Sequence, residues 1–145
     1  MAYRYLEDIA LADIAFEAEG SSQEELFVEA AKAVTDSMVD SAGLRADTES
    51  SIELSAPTME RLLFDWLAEI VFLKESEQLF FRDFKVTIKK REFPREHFEI
   101  QATARGERLD ADRHDLRNDV KAVTMHKFEL EELPGKFRAR VVLDI

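Results

Sequence analysis

The 145-residue chain contains no cysteine. Disulfides, thiolate metal sites, iron–sulfur clusters and a cysteine nucleophile are therefore excluded, and the absence fits a reducing cytoplasm. Only four glycines and three prolines are present, and the glycines, which stand singly, supply neither a phosphate-binding loop nor a dinucleotide fingerprint. The sequence also lacks zinc and nucleophile-elbow motifs, so the familiar cofactor classes are excluded.

Long apolar runs are missing as well. The longest run, near residues 62–73, is interrupted by Asp65 and Glu69, and it is much shorter than the roughly 20 apolar residues that span a bilayer. The first residues carry acids where a secretory signal would carry a basic region. We therefore expect neither a membrane span nor export, and predict a cytoplasmic protein.

Basic residues are in the minority, with 20 Lys and Arg against 31 Asp and Glu and a formal net charge of -11. Nucleic-acid binding draws most of its strength from cations that neutralise phosphates, so we expect no direct binding of RNA or DNA. The basic clusters at residues 89–91 and at Arg138 and Arg140 are interpreted as solvated strand faces.

What the sequence does contain is the composition of one ordered domain, with 46% hydrophobic and 35% charged residues. Apolar residues at steps of three and four predict a helix that begins at Ser22 and ends near Gly43, with Glu25 completing a capping box. The same spacing predicts a second helix from Met59 to about Glu75.

Alternating apolar and polar residues predict strands at residues 13–19 and around residues 52–54. Two hairpins follow, one turning near residues 93–95 and one at 133–136, where Pro-Gly favours a turn. With a further short strand at residues 3–6, the order is β(β)αβαββββ. We predict a single α+β domain over residues 1–145, with one mixed, largely antiparallel sheet packed against two amphipathic helices.

The segment of residues 106–115 is rich in polar chemistry, with four carboxylates, one imidazole and two arginines. Its candidate site residues are Glu107, Asp110 and His114. Oxygen-rich loops can hold hard cations, but the spacing differs from that of an EF-hand, so a solvated turn remains the alternative. His114 and His126 are either ligands and proton carriers or ordinary surface histidines. Lys121, in a predicted strand, either points outward or pairs with a carboxylate of the loop.

Asp13 opens the strand predicted at residues 13–19, and Asp144 closes the last predicted strand. Neither position needs an acid for the fold. If the two strands are neighbours, both carboxylates and the α-carboxylate of Ile145 would supply three oxygen ligands to a hard cation. The alternative is two exposed acids.

Five segments, in chain order, resemble the archease family: Leu11-Ala12-Asp13-Ile14; Asp65-Trp66-Leu67; Ala104-Arg105-Gly106-Glu107 with Asp110 and His114; Val120-Lys121-Ala122-Val123-Thr124 with His126; and Val141-Val142-Leu143-Asp144-Ile145. The resemblance spans nearly the whole chain. Its most specific part is Val-Lys-Ala-Val-Thr followed by the final Leu-Asp-Ile. The histidine that commonly precedes the N-terminal aspartate in this family is absent here.

The resemblance implies a metal site formed by Asp13, Asp144 and the carboxylate of Ile145, observed with calcium in the family; magnesium and manganese also suit such ligands. It implies a non-catalytic, chaperone-like accessory protein in tRNA splicing. The partner would be an RNA ligase that joins 3′-phosphate or 2′,3′-cyclic-phosphate ends to 5′-hydroxyl ends. This chain would promote the guanylylation of the ligase's histidine and the turnover of the ligase. The expected docking surface consists of five residues: Glu107, Asp110, His114, Lys121 and His126.

Two other functions stay open. A metal-dependent phosphoester hydrolase would use the same carboxylates with His114 or His126 as general base. A chaperone for an RNA methyltransferase, a role also proposed for the family, would not need Asp144. An acidic surface suits the accessory role, because an RNA-binding ligase is basic.

Overall fold

The computed structural model describes residues 2–6 and 13–145. Its elements are β1 (Ala2–Leu6), β2 (Asp13–Gly20), α1 (Gln23–Met38), a 3-10 turn (Ser41–Gly43), β3 (Thr48–Ala56), α2 (Met59–Glu77), β4 (Leu79–Arg91), β5 (His97–Arg108), β6 (Ala122–Leu133) and β7 (Lys136–Asp144). The predicted α+β class and the predicted order of strands and helices are confirmed, including the short first strand.

The strands form two sheets, in the orders β1-β2-β7-β6 and β3-β5-β4. Every pairing between the described strands is antiparallel. The prediction of one mixed sheet is wrong, because each hairpin takes a different third strand: β3 pairs with the β4–β5 hairpin, whereas β2 pairs with the β6–β7 hairpin. The alternation of apolar and polar residues shows which face of a strand is buried, but it does not show which other strands pair with it.

The two helices connect the sheets. α1 packs against β2 and β4, and α2 packs against β3 and β6, so each helix contacts both sheets. The core at this junction includes the fully buried rings of Phe16, Phe27 and Trp66. The indole N–H of Trp66 donates to the carbonyl oxygen of Phe27 at 3.0 Å, which satisfies the one polar atom of this side chain and ties α2 to α1.

Side chains cap both helices at their N-termini. The Ser22 hydroxyl accepts from the Glu25 N–H at 3.1 Å, as the capping motif predicts, and Thr58 caps α2 in the same way. α1 ends at Met38, earlier than predicted, since Gly43 belongs to the separate 3-10 turn. α2 is two residues longer than predicted and ends before Gln78, whose φ of 55° stops the helix. No helix within the described ranges has the length and apolar character needed to cross a membrane.

One glycine fixes how the β4–β5 hairpin meets the loop that follows. A Cβ atom at Gly106 would lie 1.9 Å from the carbonyl oxygen of Phe80, so only glycine permits this approach of the two strands. The next residue, Glu107, is thereby held at the end of β5, where its side chain reaches the loop.

Candidate functional site

Asp13 and Asp144 are directly opposite each other in the antiparallel register of β2 and β7. Directly opposed residues present their side chains on the same face of a sheet, within about 5.5 Å at Cβ. The main-chain N–H of Lys121 donates to the carbonyl oxygen of Asp144 at 2.8 Å, and Ile145 follows directly in the chain. The two carboxylates therefore share one corner of the four-stranded sheet, beside the start of β6.

The charge of this pair is not compensated by any cation among the described residues. Neither Asp13 nor Asp144 forms an ion pair within the described part of the chain, and like charges placed directly opposite destabilise a sheet. Carboxylate oxygens are the ligands that hard divalent cations prefer, so the two residues fit a cation of this class.

A third ligand would have to come from elsewhere. In residues 2–6 and 13–145, no three His, Asp or Glu side chains are grouped to hold a metal ion by themselves. The main chain beside Asp144 lies nearest in sequence.

A groove of about 360 Å³ opens beside Asp13. Its walls include the apolar residues Leu6 and Ile14 on the sheet side, and Arg117 and Asn118 from the loop between β5 and β6. The guanidinium of Arg117 pairs with Asp36 at 3.1 Å. The loop predicted to carry site residues is therefore close to the Asp13 corner.

The residues of the predicted polar loop divide between a strand and a true loop. Gly106, Glu107 and Arg108 complete β5, and the loop begins at Leu109. The carboxylate of Glu107 is buried and accepts from the Arg45 main-chain N–H at 2.9 Å. It also pairs with the guanidinium of Arg113 and lies 3.0 Å from His114 Nε2.

His114 is a neutral, structurally engaged histidine. The main-chain N–H of Asp110 donates to its Nδ1 at 2.9 Å, so Nδ1 carries no proton and Nε2 donates to Glu107. Burial, reinforced by the charges of Arg113 and Arg45, lowers the pKa of His114 below its ordinary value of 6.5. Nε2 also lies 3.0 Å from a guanidinium nitrogen of Arg113, which pairs with the same Glu107 carboxylate.

The loop from Leu109 to Lys121 is attached to the ends of both helices. Main-chain bonds join Asp40 to Asp115 at 2.9 Å and Arg117 to Met38 at 2.8 Å. At the other end, Lys74 of α2 donates to the Asp119 carboxylate and to the Val120 carbonyl, both at 2.8 Å. The conformation of the loop is therefore fixed by contacts along its whole length.

Lys74 is the cation of this attachment. Burial by itself lowers the pKa of its ammonium group, but hydrogen bonds to Asp119 and Glu75 outweigh burial and raise that pKa. Sequence reasoning missed Lys74, as well as Arg45 and Arg113. Arg45 acts through its main chain, which no side-chain pattern reveals. The position of Lys74 in the last turn of the predicted second helix could have been read from the sequence.

The predicted docking residues fall into two groups. Asp110, Lys121 and His126 are exposed, whereas Glu107 and His114 are buried. Lys121 lies just before β6, outside the strand in which it was predicted. His126 lies within β6, where the register shifts between Thr124 and Glu129.

The model of the Archease protein family matches residues 3–145. The chain belongs to the archease family. It is 37% identical to protein archease of Methanosarcina mazei over 143 residues, covering 99% of this chain and 95% of the relative. It is 39% identical to protein archease of Methanopyrus kandleri over 134 residues, with coverage of 92% and 94%. The family resemblance predicted from five short segments is confirmed.

Two solved structures share the fold. The solution structure of Methanobacterium thermoautotrophicum protein 1598 superposes with a TM-score of 0.81 and 33% identity, covering 99% of this chain and 98% of that one. The crystal structure of an archease from Thermotoga maritima, described as a possible chaperone, has a TM-score of 0.58 and 24% identity, with coverage of 92% and 91%. The second likeness shows the fold alone.

Proposed function

We propose that this archease is a non-catalytic, metal-binding accessory protein of an RNA-splicing ligase. It promotes the guanylylation of the ligase's active-site histidine and its turnover in joining 3′-phosphate or 2′,3′-cyclic-phosphate ends to 5′-hydroxyl ends. The observation that carries this proposal is the placement of Asp13 directly opposite Asp144, with no ion pair to either from residues 2–6 and 13–145.

The proposed cation ligands are the carboxylates of Asp13 and Asp144 and the α-carboxylate of Ile145. Calcium suits such a set of oxygen ligands, as do magnesium and manganese. These carboxylates would hold the cation, which would neutralise their charge and supply a positive charge for oxygen ligands of the partner or its nucleotide. Lys121 is exposed next to Asp144, and its ammonium group would bind a phosphate of the guanylylating nucleotide.

The docking surface consists of Asp110, Lys121 and His126, with Glu107 and His114 acting from beneath by holding the loop. The net charge of -11 complements a partner that binds RNA and is therefore basic. The same charge disfavours direct binding of RNA by this chain. The contact with the partner is a protein–protein contact.

The state of His114 argues against it as one of the two candidate general bases of a hydrolase. Nδ1 accepts the Asp110 N–H, and Nε2 donates to Glu107, so neither nitrogen is available to activate a water molecule. A general base must reach the proton that it abstracts. His114 therefore supports the loop and does not serve as a base.

Multiple-turnover ligation tests the proposal. The cognate ligase is mixed with GTP, manganese and an RNA bearing a 2′,3′-cyclic phosphate, with and without this chain at one-tenth the ligase concentration. The expected result is several ligations per ligase molecule only when this chain is present. Unchanged turnover, or phosphoester hydrolysis by this chain alone, would contradict the accessory role.

A chaperone is the second candidate, because the structurally similar Thermotoga maritima archease is described as a possible chaperone. Suppressed aggregation of an RNA methyltransferase, measured by light scattering, would favour it. That activity should be equal for the intact chain and for Asp144→Asn, whereas the ligase activity should be lost in the variant.

A further inference from the structure

β3 (Thr48–Ala56) is an edge strand that pairs with β5 on one side only. Edge strands expose unpaired N–H and C=O groups, and natural proteins protect them with short length, proline, lysine or a bulge. β3 has nine residues, a continuous register and neither proline nor lysine. It is therefore open to a further strand.

The other sheet edges in the described part of the chain are protected. β1 has only five residues. β4 is bulged between Phe81 and Asp83 and carries three lysines, and β6 is bulged between Thr124 and Glu129. The contrast makes the open edge of β3 a specific feature of this chain.

A groove of about 390 Å³ runs between residues 50–54 of β3 and one face of α2. The α2 side consists of Glu69, Leu73 and Glu77, which are spaced by four residues. Leu54 and Leu73 are partly exposed in the groove and provide apolar surface. We call this feature the β3 groove.

The charge of the β3 groove has one sign. Glu53, Glu69 and Glu77 line it, and no lysine or arginine is among its described lining residues. None of the three carboxylates forms an ion pair in residues 2–6 and 13–145. A segment that enters the groove must therefore bring positive charge.

The spacing along α2 matches that of a strand. Residues four apart on a helix are separated by about 6 Å along its axis, and alternate residues of a strand are separated by about 6.8 Å. Side chains i, i+2 and i+4 of an added strand can therefore face Glu69, Leu73 and Glu77.

We propose that the β3 groove binds an extended segment of a partner protein by strand addition, and that this segment has the pattern basic-x-apolar-x-basic. Main-chain hydrogen bonds to the free edge supply affinity, and alternate side chains supply specificity. A second copy of this chain is disfavoured, because pairing of two β3 edges would bring the acids of both grooves together. The groove shares no residue with the Asp13–Asp144 corner, so the inference stands apart from the proposed ligase function.

The test is a titration of the isotopically labelled chain with the peptide acetyl-Thr-Lys-Thr-Val-Thr-Lys-Thr-amide, followed by NMR. The expected result is chemical-shift change and slower hydrogen exchange at amides of residues 48–56. Glu69→Gln/Glu77→Gln should weaken binding and raise the Kd by at least about tenfold. Glu60→Gln/Glu132→Gln removes the same charge outside the groove and should leave the Kd unchanged, as should Asp144→Asn.

Three results would overturn the inference. They are unchanged β3 amides at millimolar peptide, equal binding of a peptide with Glu in place of both Lys residues, and insensitivity of the Kd to Glu69→Gln/Glu77→Gln. Concentration-dependent dimerisation that protects the β3 amides would also overturn it, in favour of a second copy as occupant.

Discussion

Asp13 and Asp144 face each other across β2 and β7, although they lie near opposite ends of the sequence. The register places both carboxylates on one face, and no described cation pairs with either. This arrangement destabilises the sheet unless a cation or a partner compensates it. The proposed cation would therefore relieve a repulsion that lowers the stability of this corner.

The first prediction concerns the repulsion between the Asp13 and Asp144 carboxylates. Without divalent cations, Asp144→Asn should raise the free energy of unfolding by about 0.2–1 kcal/mol, because one of two opposed charges is removed. Calcium should raise the Tm of the intact chain by mass action and have no effect on the variant. Thermal unfolding in EDTA and in calcium measures both effects.

The matched control is Asp112→Asn, which removes an exposed loop carboxylate and should keep the calcium response. An equal calcium response in Asp144→Asn and the intact chain would show that the cation binds elsewhere.

The second prediction concerns the buried carboxylate of Glu107. It accepts from the Arg45 N–H and pairs with Arg113 and His114. Glu107→Gln should lower the free energy of unfolding by about 3 kcal/mol, since it leaves buried donors without their anionic acceptor. Urea unfolding measures the loss. A change of less than about 0.5 kcal/mol, the size expected for the exposed control Glu132→Gln, would contradict the structural role of Glu107.

The third prediction follows from the lowered pKa of His114. Because the folded pKa lies below the unfolded value of 6.5, the unfolded chain binds the proton more readily. The contribution of neutral His114 is therefore complete above pH 6.5 and decreases as the pH falls toward the folded pKa. Urea unfolding at pH 7.5 and 5.5 should show a smaller pH-dependent loss for His114→Asn than for the intact chain.

His126→Asn is the control for this measurement, since His126 is exposed, and it should retain the pH-dependent loss of the intact chain. An identical pH dependence in His114→Asn would exclude His114 as the titrating group.

The fourth prediction concerns Lys74, which donates to the Val120 carbonyl one residue before Lys121. Lys74→Met should weaken this attachment by about 1 kcal/mol, the net value of a hydrogen bond. Hydrogen exchange of the Lys121 N–H, which donates to the Asp144 carbonyl oxygen, should therefore become faster. Lys74→Arg keeps a donor and should show a smaller effect. Equal hydrogen exchange at Lys121 in all three proteins would show that Lys74 does not stabilise the main chain beside Asp144.

Sequence reasoning predicted the elements of this fold better than their arrangement. Local chemistry sets the helix N-cap at Ser22 and a turn at Gly135, whose φ is 75°, so both were visible as patterns. The division into two sheets depends on which third strand each hairpin contacts. That choice is made by packing between distant segments, and alternation within a strand does not encode it.

The candidate site was also predictable only in part. The position of Asp13 and Asp144 at strand ends was visible, and their register follows from the pairing of β2 with β7. The burial of Glu107 and His114 was not predicted, because charged and polar residues in a loop are usually exposed. Their burial depends on the main chain of Arg45 and Asp110, whose donors have no signature in the sequence.

Single-turnover guanylylation of the cognate RNA ligase with GTP and manganese measures whether this chain activates the ligase and whether Asp144 is needed. It compares no addition, the intact chain, Asp144→Asn and the control Asp112→Asn, all verified as folded. We expect faster guanylylation with the intact chain and with Asp112→Asn, and the rate of the unassisted ligase with Asp144→Asn. No acceleration by the intact chain, or equal acceleration by Asp144→Asn, would contradict it.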